Sequence, residues 1–419
     1  MEAFLLAIQH SWPYTLALIF FAAYPIVTSI MWITTAMLFR LRWEPAVDTP
    51  PEREGPWPFV SVMVPAHNEQ AVIARSVRAM LKMDYPAFEV IVIDDGSRDR
   101  TLGALVPFMH DPRLRVVHKP ANEGKAMALN DAIPLARGEI LMGLDADAEP
   151  DLQLLRWIVP HFDSPRVAAV TGNPRVRNTD TFLARLQAIE FSSIMSLLRR
   201  AQRVWGRVVT VSGVVAAVRR SAVMDVGGYS PEMPTEDIEL TWKLQKRFYD
   251  VRYEPRAICW MTVPLSFKAL YRQRLRWARG LMQVLHKHRD VMTNWKTRRL
   301  WPVFVESSLS VLWALCFVVL TTLWTVSYAM GVPPIGASPI PNLWGMVIAT
   351  ICLMQLITGM LVDHRYDKGI ARYLPYAVWY PVIYWAFLTV TTVISLPYLF
   401  KRPARGSIRW QTQREGAGA

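Results

Sequence analysis

Asp145 and Asp147 stand one residue apart in LMGLDADAEP, just past an apolar run, in a chain of 419 residues with a formal net charge of +13. Side chains at i and i+2 of an extended segment share one face. The pair therefore makes a small oxygen-rich site. It suits a hard divalent cation, Mg²⁺ or Mn²⁺, held by few protein ligands with substrate oxygens completing the shell. A solvated acidic loop would read the same way in isolation. TEDIELTWK sets Thr235, Glu236 and Asp237 at a helix start. A carboxylate there could cap the helix or serve as a general base. QRLRWARG presents Gln273, Arg274, Arg276 and Trp277. A guanidinium matches diphosphate oxygens two at a time, and an indole offers a flat apolar face to a sugar ring. A basic juxtamembrane helix with a Trp anchor is the plainer reading of that stretch. Lys125, after NEG, is a further group able to reach a phosphate.

These groups need elements to carry them. FVSVMVPAHNE and EVIVIDDGSRDRT each read as a buried strand leaving into a polar loop, and QAVIARSVRAMLKM between them has helical spacing. LRVVHKP is another short strand, GKAMALNDAIPLARG a helix closed by Gly138, and EILMGLDADAEP a strand running into the acidic pair. The alternation predicts an α/β unit with a mostly parallel sheet, whose ligands sit outside the carboxyl ends of the strands. Asn68, Glu69, Asp94, Asp95, Asp145 and Asp147 all follow strands and would converge on one edge. AAVTGNPRV and RVVTVSGVVAAVRR read as further strands. FLARLQAIEFSSIMSLLRRAQR and LSFKALYRQRLRWARGLMQVL read as amphipathic helices, to lie in a membrane interface or to cover the sheet.

The composition frames this unit with membrane. Hydrophobic residues make up 52% of the chain and charged ones 19%, and the apolar residues are clustered. Residues 12–39, 303–330, 343–362 and 374–400 each provide the roughly 20 apolar residues that span a bilayer. Trp and Tyr stand near their ends, as interface residues do. The first segment has no cationic start or small-residue cleavage site and reads as a retained anchor. Arg40 and Arg42 follow it, which puts its C-terminal end and the middle of the chain in the cytoplasm. Pro375, Pro381 and Pro397 mark the last segment as a span or a re-entrant hairpin. The expected organisation is an anchor over 1–43, a linker over 44–58, an α/β domain over 59–262 and interface helices over 263–301. Transmembrane helices over 302–400 and a basic tail over 401–419 complete it. Cys259, Cys316 and Cys352 are scattered, with no zinc spacing and no disulfide framework. Basic residues are densest over 268–299, before a span, which points to lipid headgroups or a polyphosphate; no nucleic-acid-binding signature accompanies them.

The order D-D-G-S, D-x-D, T-E-D, Q-x-x-R-W, with spans on both sides, resembles the processive family 2 glycosyltransferases over residues 59–301. Within them TEDIELTWKLQ, VRYEPRAICW, QRLRWARG and WPVFVESSLSVLWA look most like the catalytic subunits of bacterial poly-β-1,6-N-acetylglucosamine synthases. The cyclic-di-GMP-binding barrel of cellulose synthases is not expected after Phe400. The resemblance implies a Rossmann-like GT-A fold, flanked by membrane helices in a bacterial inner membrane. It also implies inverting transfer from UDP-N-acetylglucosamine to a growing β-linked polysaccharide that is exported as it grows. By the same resemblance Asp94 would contact the uracil, with Pro65, Asn68 and Glu69 nearby and Asp95 beside it. Asp145 and Asp147 would hold the metal and the diphosphate, and Asp237 would be the base. Arg274 and Arg276 would hold the diphosphate with Lys125. Glu236, Gln273 and Trp277 would shape the acceptor site, and a small two-span membrane subunit would be a partner. Another β-glycan, a glycolipid product, or a non-catalytic subunit that binds nucleotide sugar remain the alternatives.

Overall fold

A computed structural model describes residues 2–44, 49–335, 343–401 and 406–409. Parts of the expected linker (45–48), of the Pro/Gly loop between spans (336–342) and of the basic tail (402–405, 410–419) lie outside the described residues.

Helix α1, Trp12–Trp43, is apolar almost throughout and ends on Arg40 and Arg42. Ser11 caps it by accepting the Tyr14 N–H at 3.4 Å. Pro25 sits inside it. The α/β unit follows. Strands β1 (Val60–Ala66), β2 (Phe88–Asp95), β3 (Leu114–Lys119) and β4 (Ile140–Leu144) pair in parallel in the order β3-β2-β1-β4. Their near-continuous Val, Ile, Leu and Met content fits burial on both faces. Helix α2, Lys125–Ala132, lies between β3 and β4 and stops two residues before Pro134, short of the Gly138 end expected from the sequence.

The second half departs from a mostly parallel sheet. β5 (Glu149–Pro150), β6 (Val167–Val176), β7 (Val215–Arg219) and β8 (Asp250–Met261) complete an eight-stranded order β3-β2-β1-β4-β7-β6-β8-β5. β7 runs antiparallel to both neighbours, and β5 runs antiparallel to β8. The cause is connectivity. The chain leaves β6, passes through the helical run 182–204 and re-enters as β7 against the reverse side of β4. The result is a mixed sheet.

Residues 182–204 are one helical run, with a π-helical turn at Phe191–Ser196 before α3 (Leu197–Val204). It is buried on nearly every side. Leu197 and Ala201 of α3 pack on Ala36 and Trp32 of α1. The run is therefore sandwiched between sheet and spans, which answers the choice its sequence left open. Helix α4, Glu236–Lys246, and the 21-residue helix α5, Phe267–Lys287, follow. Helices α6 (Trp301–Ala329) and α7 (Leu343–Asp363) carry two further stretches long and apolar enough to cross a membrane. The fourth candidate breaks: Ile370–Val378 and Ile383–Leu399 meet at 78°.

Sheet unit and spans are joined by buried charge. Asp363 at the end of α7 pairs with Arg200 at 2.9 Å and with Arg175 of β6. Arg200 also grips Glu44, just past α1, with bonds of 2.9 and 3.0 Å. Removing one member of such a network leaves an uncompensated charge out of water. Asp363→Asn is therefore expected to destabilise the chain by about 3–5 kcal/mol, seen as a lower thermal unfolding midpoint in detergent. An unchanged midpoint would mean that water reaches the cluster.

Candidate active site

The carboxyl ends of β1, β2 and β4 face one edge of the sheet, as parallel pairing requires. Asp94 is fully buried there; its carboxylate accepts a bond from His118 Nδ1 at 2.7 Å and the Ser97 N–H at 3.3 Å. Asp95 is turned inward, accepting the Glu123 and Gly124 backbone N–H groups at 3.0 and 2.7 Å. It orders the loop ahead of α2. Asn68 has a left-handed φ of 57°. Its side chain accepts the Arg98 N–H at 2.9 Å and its own N–H donates to Ser97 Oγ at 2.9 Å, tying the β1 loop to the β2 loop. Glu69 is buried behind it and its N–H donates to Thr101 Oγ1 at 2.9 Å.

The chemistry-bearing groups gather further along the edge. A cleft there is lined by Pro65, Lys125, Gly143, Gly213, Glu236 and Asp237, among others. Lys125, the first residue of α2, reaches Asp145 Oδ1 at 2.7 Å, Glu236 Oε1 at 3.3 Å and the Gly213 carbonyl at 3.0 Å. Burial alone would lower its pKa, but Asp145 and Glu236 outweigh burial and the pKa is raised. Lys125 is thus a fixed cation among three carboxylates. Asp237 accepts the Gly213 N–H on Oδ2 at 3.0 Å and the Ile238 N–H on Oδ1 at 2.9 Å. Burial, then repulsion from Glu236, push its pKa up to about 6, against the opposing pull of Lys125 and Arg276. An acid tuned to that range takes up and releases a proton near neutrality. Through Ile238 the Asp237 carboxylate also satisfies one free N–H of the first turn of α4, whereas Thr235, the N-cap residue, has no side-chain cap bond.

Asp147 is buried, and Thr262 Oγ1 donates to its Oδ2 at 2.6 Å. The short β5 explains this contact: Glu149 pairs with Trp260 and Pro150 with Cys259, which folds the loop after β4 onto the end of β8. Asp145 is held by Lys125 through Oδ1 and Asp147 by Thr262 through Oδ2. Among the described residues no group of three or more His, Cys, Asp or Glu side chains is placed to hold a metal. A two-carboxylate donor set fits a hard cation that takes most of its shell from substrate oxygens, and does not fit a cation caged by protein.

The QRLRWARG residues separate. Arg276 is exposed and donates to the Pro234 carbonyl at 3.1 Å, next to the T-E-D turn. Arg274, by contrast, points the other way. Its guanidinium pairs with Glu190, donates to Tyr384 OH at 3.0 Å and lies 4.0 Å over the Trp277 ring. It is 3% exposed. The diphosphate role expected of it would need that buried pair broken. Its position instead fixes Trp277, which packs among Val263, Tyr380 and Tyr384. Gln273 is half-buried on the same helix.

Helix α5 also meets the T-E-D turn by close approach at Gly280. A Cβ built there would fall inside van der Waals contact of the Thr235 side chain. Gly280→Val is therefore expected to shift Thr235, Glu236 and Asp237 and to cut turnover roughly a hundredfold, the usual cost of a misplacement near 1 Å. Its far-UV spectrum should match that of the parent. Full turnover in a folded variant would show that α5 does not position this turn.

Three site residues were not singled out in the sequence. His118 on Asp94 sits inside an ordinary strand, and the Gly213 N–H on Asp237 has no side-chain signal at all. Thr262 is the residue just past β8, a strand interrupted in sequence by Arg252, Glu254, Pro255 and Arg256.

Comparison with known proteins adds a second line. Residues 61–227 match the model of the family described as "Glycosyl transferase family 2". The poly-beta-1,6-N-acetyl-D-glucosamine synthase of Staphylococcus epidermidis is 32% identical over 417 residues, covering 95% of this chain and 98% of that one. That of Staphylococcus aureus strain COL is also 32% identical, over 413 residues and with the same coverage. Among solved structures, the mannosyltransferase PcManGT of Pyrobaculum calidifontis, in complex with GDP-Man and Mn²⁺, superposes with a TM-score of 0.62 at 23% identity. It covers 88% of this chain and 98% of its own, which supports the GT-A fold.

Proposed function

We propose, from the premise that this chain belongs to glycosyl transferase family 2, that it polymerises N-acetylglucosamine from UDP-N-acetylglucosamine into a β-1,6-linked polysaccharide. It is a glycosyltransferase with membrane helices, related at 32% identity to the staphylococcal synthases. The observation that carries the finer reading is the convergence of Lys125, Glu236 and Asp237 on one cleft, with Asp145 paired to Lys125, in a chain aligned with those synthases over 95% of its length.

In this reading the nucleoside lies over β1 and β2. Asp94, made rigid by His118, accepts from the uracil, and Pro65, Asn68 and Glu69 form its surroundings; Asp95 orders the adjoining loop. Mg²⁺ or Mn²⁺, held by Asp145 and Asp147 together with substrate oxygens, would offset charge on the leaving diphosphate. Lys125 and Arg276 meet the same phosphates from the other side. Asp237 takes the proton of the acceptor hydroxyl as that oxygen bonds to the anomeric carbon and UDP departs from the opposite face. One displacement inverts the configuration, so the product is β-linked. Glu236 keeps Asp237 basic, and Trp277, held by Arg274, offers a face to the acceptor sugar beside Gln273.

The organisation follows: an anchor over 1–43, a linker, a cytoplasmic domain over 59–262, interface helices to 301, then spans to 400 and a basic tail. Arg40 and Arg42 at the end of α1 support the cytoplasmic side, in a bacterial inner membrane. Processive growth, export past the spans and a small two-span partner subunit complete the proposal.

UDP release from membranes containing the chain tests it, with UDP-N-acetylglucosamine, UDP-glucose and UDP-glucuronate offered separately. Release is expected with UDP-N-acetylglucosamine alone. Release with another donor would replace the product, and binding without release of UDP would replace catalysis by a binding role.

A further inference from the structure

Four arginines collect at the end of β8 opposite Thr262. Arg203, near the end of α3, donates to the Val251 carbonyl at 3.0 Å. Arg207, four residues on, bonds the Gly206 carbonyl at 2.7 Å and reaches Asp250 at 3.5 Å. Asp250 and Arg252 share one face of β8, two residues apart. Arg299 is exposed, two residues ahead of α6, and its positive charge bears on Arg207. Asp250 is the carboxylate that answers this group, and it meets Arg207 at a distance longer than a good charge-assisted bond.

Two donors of this group are left over. Arg207 is 4% exposed, yet its Nε is buried without a hydrogen-bond partner, and Arg252 Nε is in the same condition. Buried donors without acceptors are uncommon, and like charges brought together out of water oppose one another. Burial, then Arg252, lower the pKa of Arg203 to about 10. Nothing in the transferase chemistry uses these side chains, which stand away from the cleft. The surroundings say what would satisfy them. α3 packs on α1 through Leu197 and Ala201, Phe39 of α1 touches Tyr253 of β8, and Arg299 stands at the entrance of α6. The cluster thus lies beside the ends of two candidate spans, where lipid headgroups would stand.

We propose that Arg203, Arg207, Arg252 and Arg299 form a binding site for a phosphate group, supplied by an anionic phospholipid headgroup or by free phosphate. A tetrahedral phosphate accepts paired N–H bonds from several guanidinium forks at once, and it supplies the acceptors that Nε of Arg207 and Arg252 lack. Its charge also relieves the repulsion within the group.

The test uses the full-length protein in a neutral detergent and reads its thermal unfolding midpoint. Dioctanoyl phosphatidylglycerol, dioctanoylglycerol and inorganic phosphate are titrated separately at constant ionic strength. A ligand that binds only the folded state raises the midpoint saturably. Phosphatidylglycerol is expected to do so and dioctanoylglycerol, which lacks the phosphate, is not. Inorganic phosphate acting in the same concentration range would assign the site to free phosphate, and a response to the lipid alone would assign it to the headgroup. The Arg203→Gln/Arg252→Gln double variant is expected to need roughly 25-fold more ligand for the same rise, about fivefold for each guanidinium. Arg299→Gln, a surface change that leaves the interior intact, should need roughly fivefold more. The proposal fails if neither phosphate compound moves the midpoint, if dioctanoylglycerol moves it equally, or if Arg299→Gln responds as the parent does.

Discussion

Asp237→Asn is expected to lower UDP release by about 10²–10⁴-fold while leaving UDP-sugar binding close to that of the parent. The range is that of a general base withdrawn from an otherwise intact site. The amide keeps the shape of the carboxylate and can still accept the Gly213 N–H that now meets Oδ2. What it cannot do is take a proton. In the proposed mechanism the same residue sets the acid limb of the rate. Burial and Glu236 hold the Asp237 pKa at about 6. The base is active only as carboxylate, so turnover should rise with pH through about 6 and level off above it. Glu236→Gln removes a negative neighbour and should move this limb to lower pH. A limb that stays in place would assign the titration to another group. Unimpaired turnover in Asp237→Asn would remove the base from the mechanism altogether.

Asp147→Asn is expected to cost about a hundredfold or more, because in the proposed mechanism several kcal/mol of leaving-group stabilisation would rest on the cation its carboxylate would help to hold. The loss should be chemically distinct from the first. Raised Mn²⁺ should restore part of the turnover of Asp147→Asn and none of that of Asp237→Asn. EDTA should silence the parent, and added Mg²⁺ or Mn²⁺ should revive it. Full turnover in EDTA would refute a role for the acidic pair in metal binding. Thr262→Val, which removes the 2.6 Å bond that orients Asp147, should fall short of the Asp147 loss, by roughly 10–100-fold from the parent.

What could be read from the sequence follows a physical line. β1, β2 and β4 were legible because a strand buried on both faces is a near-continuous apolar run, and acids directly after such a run must sit at its carboxyl end. That rule alone brings Asp94, Asp145 and Asp147 to one edge. The antiparallel half was not legible in the same way. β8 carries Arg252, Glu254 and Arg256, passes through Pro255 and bulges against β6, so no period marks it. Its end, Thr262, was lost with it. Arg274 and Arg276 look alike two residues apart, yet a helix turns them about 200° from each other, and only the position of Glu190 decides which one is buried. Asp363 is hidden for a related reason. In DHRYDKGIAR it reads as a loop acid beside basic neighbours, and its true partners Arg175 and Arg200 are distant in sequence.

The buried charges around Asp363 also impose an order on assembly. Glu44 and Arg200 meet early in the growing chain, but Arg175 and the second face of Arg200 have no acid until α7 has been made and inserted. Until then the nascent protein carries two guanidinium charges against one carboxylate at its junction with the bilayer. The α/β unit can form its strands and pack α3 on the first span beforehand, but the pairs of Arg175 and Arg200 with Asp363 await α7. Insertion of α7 thus closes the charge network like a latch, and a chain cut short before Asp363 would keep those two guanidinium groups short of one acid.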